Sequence, residues 1–382
     1  MPKRNILTVV SGPAGSAQPR TDLSRLTHMP QLDALRTLAV MLVVVYHWFP
    51  TGEGINRLPN GTIGVMIFFV ISGFLISRIL LQNRNRILAG SAQLSDTYRN
   101  FFVRRALRIF PLYYLVITFV LIALPQASDI DEYPLYYYLY GYNILLHQTG
   151  NWSDLLSPFW TLGVEEQLYL IWPWIVFLTP RSSTRTAIIG LIVIGVVSRG
   201  IGYLRGDLDG VLMPASLDAF GLGALWAHVI TEEPEQAGTF LKRLSLAAVL
   251  ALVGFACLLL LPGDDVLVVL FQRLLISVLS LYVVANASLG IRGITGRVLD
   301  NGALQYVGRI SYGIYVFHML VPGYLVPFLL RIAGRFGIHP TLGYWSHRLF
   351  SLAVLIALAS VSWYAFEKPI NGLKRYFSYN DK

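Results

Sequence analysis

Apolar runs long enough to cross a bilayer recur along this sequence and constrain its fold more than any other feature. Ten of them are about 20 residues long, which is the length that a helix needs to span the hydrocarbon core. They lie near residues 32–50, 62–82, 104–124, 159–179, 186–204, 212–231, 244–262, 265–287, 304–326 and 349–367. The sequence therefore predicts an all-α polytopic membrane protein with about ten transmembrane helices.

The amino-acid composition supports this fold class and excludes several others. Hydrophobic residues make up 55% of the 382 positions and charged residues only 13%, against about 25% charged in soluble domains. Mean hydropathy is +0.57. These values exclude an ordinary soluble globular protein, a disordered chain and a nucleic-acid-binding domain, although the net charge is +9. The expected surroundings are the lipid bilayer, and we expect no nucleic-acid partner.

The ends of the chain differ in composition from the rest. Residues 1–30 are rich in Ser, Gly and Pro, and the apolar stretch Ile6–Val10 is too short for the hydrophobic region of a signal peptide. We expect a disordered cytoplasmic segment over 1–30, a membrane domain over 31–374 and a cytoplasmic tail over 375–382.

The charges of the connecting loops predict which side of the membrane each one faces, because cytoplasmic loops are rich in Lys and Arg. The loop 83–103 and the turn 180–185 carry arginines and are expected inside, whereas 125–132 is acidic without a base and is expected outside. Because the acidic loop and this turn are expected on opposite sides, the chain between them must cross the membrane an odd number of times. The apolar run at 159–179 accounts for one crossing, which leaves no crossing for a second segment. The Tyr-rich segment near 133–147 is therefore expected to be interfacial or re-entrant, with both chain termini cytoplasmic.

Few residues suit a metal or a redox cofactor. The single cysteine, Cys257, excludes an intramolecular disulfide and a cysteine metal site. The histidines are dispersed, and the sequence contains no HExxH motif, Walker loop or nucleophile elbow. We expect no metal and no permanently bound cofactor. Tyr312 and His318, in the ninth span, are expected to line a cavity as hydrogen-bonding groups.

The first span contains ionisable side chains, which are costly inside a membrane and therefore mark candidate functional positions. Arg36 and His47 are eleven residues apart, which places them on one helical face about 16 Å apart along the axis. Asp33 lies three residues before Arg36 and is positioned to pair with it. The alternative interpretation is a snorkelling Asp33–Arg36 pair at the cytoplasmic end and an interfacial His47 beside Trp48.

Arginines open the third span. Arg104, Arg105 and Arg108 enter the membrane from the expected cytoplasmic side, and the last two share one face as i, i+3 neighbours. Paired guanidiniums at a helix N-terminus suit phosphate, because they add bidentate donors to the helix dipole. A positive-inside anchor without a ligand is the other interpretation.

Two further spans carry small or acidic residues. Ser72 and Gly73 favour close helix packing over a catalytic serine, since no base lies nearby in the sequence.

Glu165 and Glu166 cannot both face lipid cheaply, so at least one is expected in the bundle interior, at a depth similar to that of His47. A histidine and a carboxylate at equal depth suit an acid–base pair. The other interpretation is a pair of carboxylates neutralised by arginines.

Six short motifs follow one another in a defined order. They are Leu32–Arg36 with His47, Phe68–Leu75, Arg105 with Arg108, Trp160–Tyr169, Ser311–His318 and Ser362–Pro369. Each is weak alone, but their order within a ten-span chain resembles the acyltransferase 3 family of integral-membrane acyltransferases. The resemblance extends from Gln31 to about Lys374.

This resemblance implies that a hydroxyl of a carbohydrate or carbohydrate-containing product is acylated, commonly acetylated, with acyl-CoA as donor. It implies that His47 is catalytic, as general base or as acylated nucleophile, and that Glu165 orients or polarises it. Arg36, Arg105 and Arg108 would bind the donor. The expected supporting residues are Asp33, Ser72, Trp160, Glu166, Tyr312 and His318. The expected location is the bacterial cytoplasmic membrane.

Two positions depart from the family pattern. Met66 stands where relatives often carry Asp, and Gly163 stands where they often carry Ser. Both changes remove a polar group from an expected acceptor-side or cavity position, so they bear on the identity of the acceptor and not on the donor chemistry. We also expect no extracytoplasmic hydrolase-like domain of the kind that some relatives append. The alternative function is an exporter of a glycan or natural product without acyl-transfer chemistry, which would not need the Arg36–His47 spacing. The sequence leaves the acceptor, the acyl length and the oligomeric state open.

Overall fold

The computed structural model describes residues 29–207, 210–338 and 342–379. The predicted disordered segment at 1–30 lies outside the described residues except for its last two positions, and the predicted tail is described only as far as Tyr379. Throughout the described ranges the regular secondary structure is helical, which confirms the predicted all-α class.

Sixteen α-helices are found in these described ranges. In chain order they are α1 (Pro30–Trp48), α2 (Asn60–Leu88), α3 (Leu94–Ala123), α4 (Pro134–Tyr138), α5 (Tyr142–Thr149), α6 (Trp160–Leu178), α7 (Thr184–Arg205), α8 (Leu217–Glu232), α9 (Ala237–Leu258), α10 (Val266–Leu289), α11 (Gly293–Leu299), α12 (Gly302–Arg309), α13 (Ser311–Phe317), α14 (Val326–Arg335), α15 (Tyr344–Ser362) and α16 (Lys368–Gly372). Two π-helical turns, Val321–Leu325 and Trp363–Glu367, directly precede α14 and α16.

Six of the helical stretches are long and apolar enough to cross a membrane, and they contain α2, α3, α7, α9, α10 and α15. A seventh is obtained if α13 and the helix after it are counted together across their 52° bend. α1, α6 and α8 occupy further predicted spans. Polar residues in α1 and α6, and the 16-residue length of α8, keep these three below the same criterion. These helices support an integral membrane protein.

α2 is the central helix of the bundle and packs against α1, α6, α8 and α10. Its contact with α8 is closest where Gly73 lies against the carbonyl of Phe220 and Gly223 lies against the carbonyl of Val70. A Cβ atom at either glycine would collide with these backbone atoms, so the two glycines permit the crossing. The prediction of close packing at Gly73 is confirmed.

The Tyr-rich segment near 133–147 forms two short helices, α4 and α5, and neither is long enough to cross a membrane. The buried carboxylate of Asp154 fixes the segment, because it accepts hydrogen bonds from the hydroxyl of Tyr137 and from the backbone N–H of Leu156 at 2.6 Å. Tyr113 on α3 donates a hydrogen bond to the carbonyl of Tyr137 at 2.7 Å. The segment is thus attached to the side of the bundle, as its predicted interfacial or re-entrant character requires.

Candidate active site

A cavity of about 100 Å³ lies between α1, α2, α3, α6 and α13. Its wall contains six of the predicted site residues, namely Arg36, Ser72, Arg105, Arg108, Glu165 and Tyr312. Most of the remaining wall is apolar, with Thr161 and Tyr315 among the polar exceptions. Five helices thus bring a small set of polar groups together inside an apolar bundle, which is the usual composition of a small-molecule site.

Arginines give one side of this cavity a positive charge. Arg36 donates a hydrogen bond to the carboxylate of Asp33 at 2.6 Å, which confirms the predicted pairing. The guanidinium of Arg105 lies 5.4 Å from the centre of the Tyr169 ring, and the side chain of Arg108 is exposed. Neither Arg105 nor Arg108 donates a hydrogen bond to another described residue. Their N–H groups therefore remain available for an anionic ligand.

Glu165 is the one carboxylate in the cavity wall among the described residues. Its carboxylate accepts hydrogen bonds from the hydroxyls of Ser72 at 3.2 Å and Tyr169 at 2.7 Å. It also lies within electrostatic range of Arg105 and Arg108. The described wall of the cavity contains three arginines and one carboxylate, so the wall carries a net positive charge. Ser72 here is a hydrogen-bond donor to a carboxylate.

A pair of histidines lies where α1 and α13 meet. Nδ1 of His47 is 2.9 Å from the carbonyl oxygen of Val43, and Nδ1 of His318 is 2.6 Å from that of Tyr315. Nε2 of His318 lies 3.3 Å from Nδ1 of His47. Trp48 donates a hydrogen bond from its indole N–H to the carbonyl of His318 at 2.8 Å. Backbone groups on both helices therefore hold the two rings in contact.

These contacts determine where the ring protons lie. A carbonyl oxygen accepts hydrogen bonds only, so Nδ1 of each neutral histidine carries the proton. Nε2 of His318 is then an acceptor that shares the single Nδ1–H of His47 with the carbonyl of Val43, at the longer distance of 3.3 Å. Nε2 of His47 is left unprotonated and makes no hydrogen bond to a described residue. His47 is thus in the tautomer that presents a basic nitrogen.

The histidine pair and the arginine cavity are neighbours with one wall in common. Tyr315 lines the cavity, and the centre of its ring lies 5.6 Å from that of His318. Among the described residues, Glu165 and His47 are not joined by a hydrogen bond. The expectation that Glu165 orients His47 therefore has no support in these contacts, and His318 makes that contact instead. Equal depth in a membrane does not fix the direction in which a side chain leaves its helix.

The other predicted residues are placed around these two centres. Trp160 is buried edge-to-face with Phe69, and the guanidinium of Arg273 lies 5.9 Å from its ring. Glu166 is buried, and its Oε1 has no hydrogen-bond partner among the described residues. Tyr312 lines the cavity and donates a hydrogen bond to the carbonyl of Ile109 at 2.7 Å. The part of the chain that the structure describes holds no group of three His, Cys, Asp or Glu side chains placed for a metal ion.

The two positions that depart from the family pattern do not line the cavity. Met66 is fully buried in the core of the bundle. Gly163 packs against α4–α5, and a Cβ atom there would lie 2.8 Å from the carbonyl oxygen of Tyr140. A serine at this position would force that contact apart. Both departures are therefore packing positions in this chain, although the sequence suggested an acceptor-side role.

The roles of several residues of the site were not predicted from the sequence. Tyr169 lies four residues after Glu165, and this i, i+4 spacing on one helix would have predicted their hydrogen bond. Thr161 and Tyr315 are joined by a 2.6 Å hydrogen bond between α6 and α13. Only the packing of distant helices brings that second pair together, so the sequence contains no comparable signal for it.

The chain belongs to the acyltransferase 3 family, because the family model described as an acyltransferase domain matches residues 29–367. It is 28% identical over 384 positions to the peptidoglycan O-acetyltransferase OatA of Listeria monocytogenes, with 93% of this chain and 58% of the relative covered. It is 28% identical over 372 positions to the putative peptidoglycan O-acetyltransferase YrhL of Bacillus subtilis, with 90% and 55% covered. It is 27% identical over 313 positions to the O-acetyltransferase OatA of Staphylococcus aureus, with 76% and 50% covered.

The chain spans about half the length of the curated relatives it matches. No solved structure matches the chain. The names of these relatives therefore describe longer proteins, and what they act on is carried to this chain only as a proposal.

Proposed function

We propose that this chain is an integral-membrane O-acyltransferase that moves an acyl group, most simply acetyl, from acyl-CoA to a hydroxyl of a carbohydrate. The observation that carries the proposal is a cavity lined by three arginines whose wall residue Tyr315 contacts His318, the neighbour of His47. His47 has an Nε2 that is free to act as a base. Membership of the acyltransferase family supports the reaction class. The printed names of the relatives support a peptidoglycan-type carbohydrate acceptor.

The arginine side of the cavity suits the phosphate groups of CoA. Arg105 and Arg108 have unused donors, and guanidiniums bind phosphate in a bidentate geometry that lysine cannot match. Pockets that bury drug-sized ligands measure about 300–1,000 Å³. A cavity of about 100 Å³ can hold only the acyl-thioester end of the donor. The nucleotide would then remain outside the small cavity, beside Arg108.

The histidine pair suits the proton transfer that the reaction needs. In this proposal Nε2 of His47 takes the proton of the acceptor hydroxyl while the hydroxyl oxygen attacks the thioester carbonyl. The C–S bond then breaks, and the departing thiolate takes the proton from the imidazolium. Because Tyr315 lines the cavity and its ring contacts that of His318, movement of its side chain is part of the proposed cycle. The competing route is direct acylation of His47 at Nε2, followed by attack of the acceptor on the acyl-imidazole.

Glu165 has an electrostatic role in this scheme. Its carboxylate holds the hydroxyls of Ser72 and Tyr169 beside Arg105 and partly offsets the repulsion between the arginines. It thereby keeps the donor side of the cavity arranged before the ligand arrives.

Replacement of His318 by alanine is expected to lower kcat about 10-fold, because an orienting hydrogen bond is worth about 1 kcal/mol or slightly more. The Kd for acyl-CoA is expected to stay within about twofold, since His318 is remote from the arginines in this scheme. Both quantities are measured on purified protein, kcat by release of free CoA and Kd by titration calorimetry.

The variant His318→Gln separates positioning from a general structural effect. Its side-chain oxygen can accept the N–H of His47, so part of the lost kcat is expected to return. Equal losses in the alanine and glutamine variants would assign His318 to packing, and an unchanged kcat in both would remove it from the mechanism.

We further propose that ten spans cross the bacterial cytoplasmic membrane, with both termini in the cytoplasm. α1 and α6, which are lowered in hydropathy by polar residues, and the short α8 would cross because neighbouring helices cover their polar residues. α13 with the helix after it would complete the set. The proposal extends the six or seven spans that length and hydropathy support.

Single cysteines placed at 83–100 and at 125–132, in a Cys257→Ser background, test this orientation. A membrane-impermeant maleimide is expected to label 125–132 in intact cells and 83–100 only after permeabilisation. The reverse pattern would overturn the sidedness of the donor and acceptor sites.

The proposed activity is tested in cells by expressing the chain in a bacterial strain that lacks O-acetylated glycans. Mild base should then release acetate from purified glycans of the expressing strain, and no acetate above background from a strain expressing His47→Ala. Equal amounts of acetate in the two strains would contradict the proposal.

A further inference from the structure

The last described residues, Leu373–Tyr379, lie against the N-terminal half of α3, and we call them the C-terminal strap. Arg104 donates hydrogen bonds to the carbonyls of Lys374 at 2.9 Å and Phe377 at 3.1 Å. Its guanidinium also lies 5.2 Å from the ring centre of Tyr379. Two more donors bond the strap, namely Asn100 to the carbonyl of Ser378 at 2.8 Å and Arg86 to the carbonyl of Tyr379 at 3.1 Å. The strap is therefore a fixed element of this end of the bundle.

Because α3 begins at Leu94, its three arginines lie in the middle of the helix and not at its N-terminus, as the sequence had predicted. They do different things. Arg104 uses its donors on backbone carbonyls of the strap, whereas Arg105 and Arg108 line the cavity. Because Arg104 donates a hydrogen bond to the carbonyl of Lys374, it fixes the backbone of Lys374 near the other two arginines.

Lys374 is held facing the protein in a strongly cationic place. It is partly buried, whereas its neighbour Arg375 is exposed. Its ammonium group donates to the neutral side-chain oxygen of Asn371, and it forms no ion pair with a carboxylate among the described residues. It lies within electrostatic range of the three arginines of α3. Like charges repel strongly where water is partly excluded, and an anion bound here would offset that repulsion.

We infer that Lys374 is a further binding residue of the donor site, where it contacts a phosphate group of the CoA nucleotide, and that Arg104 positions it through the strap. The inference rests on the proposed function, since it takes CoA as the donor. An ammonium group is a point charge with three donors and suits a phosphate that the rigid guanidiniums leave partly uncovered. The strap would then form the part of the donor site that lies outside the small cavity, on the side of exposed Arg108.

Binding of CoA to the purified full-length protein in nanodiscs tests the inference. The variant Lys374→Ala is expected to raise the Kd for CoA about 10-fold, because a hydrogen bond to a charged group is lost. The variant Lys374→Arg keeps the charge and is expected to bind within about threefold of wild type. The matched control is Lys368→Ala, because Lys368 is an exposed lysine of the same region whose ammonium lies 5.2 Å from the ring of Tyr364.

Arg104→Ala gives a second measurement. It is expected to weaken CoA binding about as much as Lys374→Ala, and to increase hydrogen exchange at 373–379, since the strap loses its main attachment. Combined with Lys374→Ala it should add little, because both changes remove the same contact.

The outcomes separate the inference from the function on which it rests. If wild type binds CoA and Lys374→Ala binds it equally well, the inference fails and the proposed function stands. If wild type itself does not bind CoA, the donor assignment fails and the inference fails with it. Weakening by Lys374→Ala that Lys368→Ala reproduces would also overturn the inference, because a general loss of positive charge would then explain it.

Discussion

Replacement of His47 by alanine is expected to reduce acyl transfer by about 100- to 10,000-fold, the usual contribution of a general base. The Kd for acyl-CoA is expected to change less than twofold, because the donor phosphates are assigned to arginines that do not contact His47. The measurement is the rate of glycan-dependent CoA release by purified protein, with the Kd determined on the same samples. This combination of a lost rate and an unchanged Kd distinguishes a chemical role from a structural one.

A matched control is available in His147→Ala, because His147 is a partly exposed histidine of α5 that does not line the cavity. It should transfer acyl groups at the rate of wild type. Retained turnover in His47→Ala would remove His47 from the mechanism. An acyl group found on His47 by mass spectrometry would replace the general-base route with the acyl-imidazole route.

The double variant Arg105→Ala with Arg108→Ala is expected to raise the KM for acyl-CoA by about 100-fold or more. Each charge-assisted hydrogen bond to phosphate contributes about 1.5–3 kcal/mol, and two are removed. The value of kcat is expected to fall much less, since these groups bind the donor equally before and during transfer. Initial rates over a wide range of acyl-CoA concentrations give both constants, and a direct Kd confirms the first.

The control for this experiment is Arg99→Ala, because Arg99 is an exposed residue of α3 that pairs only with nearby Asp96 at 3.1 Å. It should leave KM unchanged. A KM that stays constant in the double variant would show that the arginines anchor the helix in the membrane without binding the donor. That was the alternative interpretation of their sequence motif.

Spacing within a single helix predicted local features of the site well. The i, i+3 relation of Asp33 and Arg36 gave their 2.6 Å hydrogen bond, and that of Arg105 and Arg108 placed both in one cavity wall. Helix geometry alone fixes such relations, whatever the rest of the chain does. The close crossing at Gly73 followed in the same way from the small size of the residue.

Contacts between distant helices could not be predicted in this way. His318 lies 271 positions from His47, and Arg104 lies 270 from Lys374, so only packing brings each pair together. Membrane depth can be counted along a sequence, but the rotation of a helix about its axis depends on its neighbours. For this reason Glu165 was expected beside His47, whereas its carboxylate is bonded by hydroxyls of α2 and α6.

The same limit applies to the count of spans. Hydropathy identifies six of the spans because apolar residues dominate them, namely α2, α3, α7, α9, α10 and α15. α1 and α6 carry the charged residues of the site, and these lower their hydropathy although the helices form where predicted. Ionisable groups that make a span functional thus also make it harder to recognise.

The central claim is that this chain transfers an acyl group from acyl-CoA to a carbohydrate hydroxyl. The most direct measurement incubates purified protein in nanodiscs with acetyl-CoA labelled in its acetyl group, with and without a pooled bacterial glycan extract. Release of CoA is expected to depend on the extract, and the label is expected in the glycan as a base-labile ester. Binding of acetyl-CoA without label entering any glycan fraction, or glycan movement across the bilayer that proceeds without acetyl-CoA, would contradict the central claim.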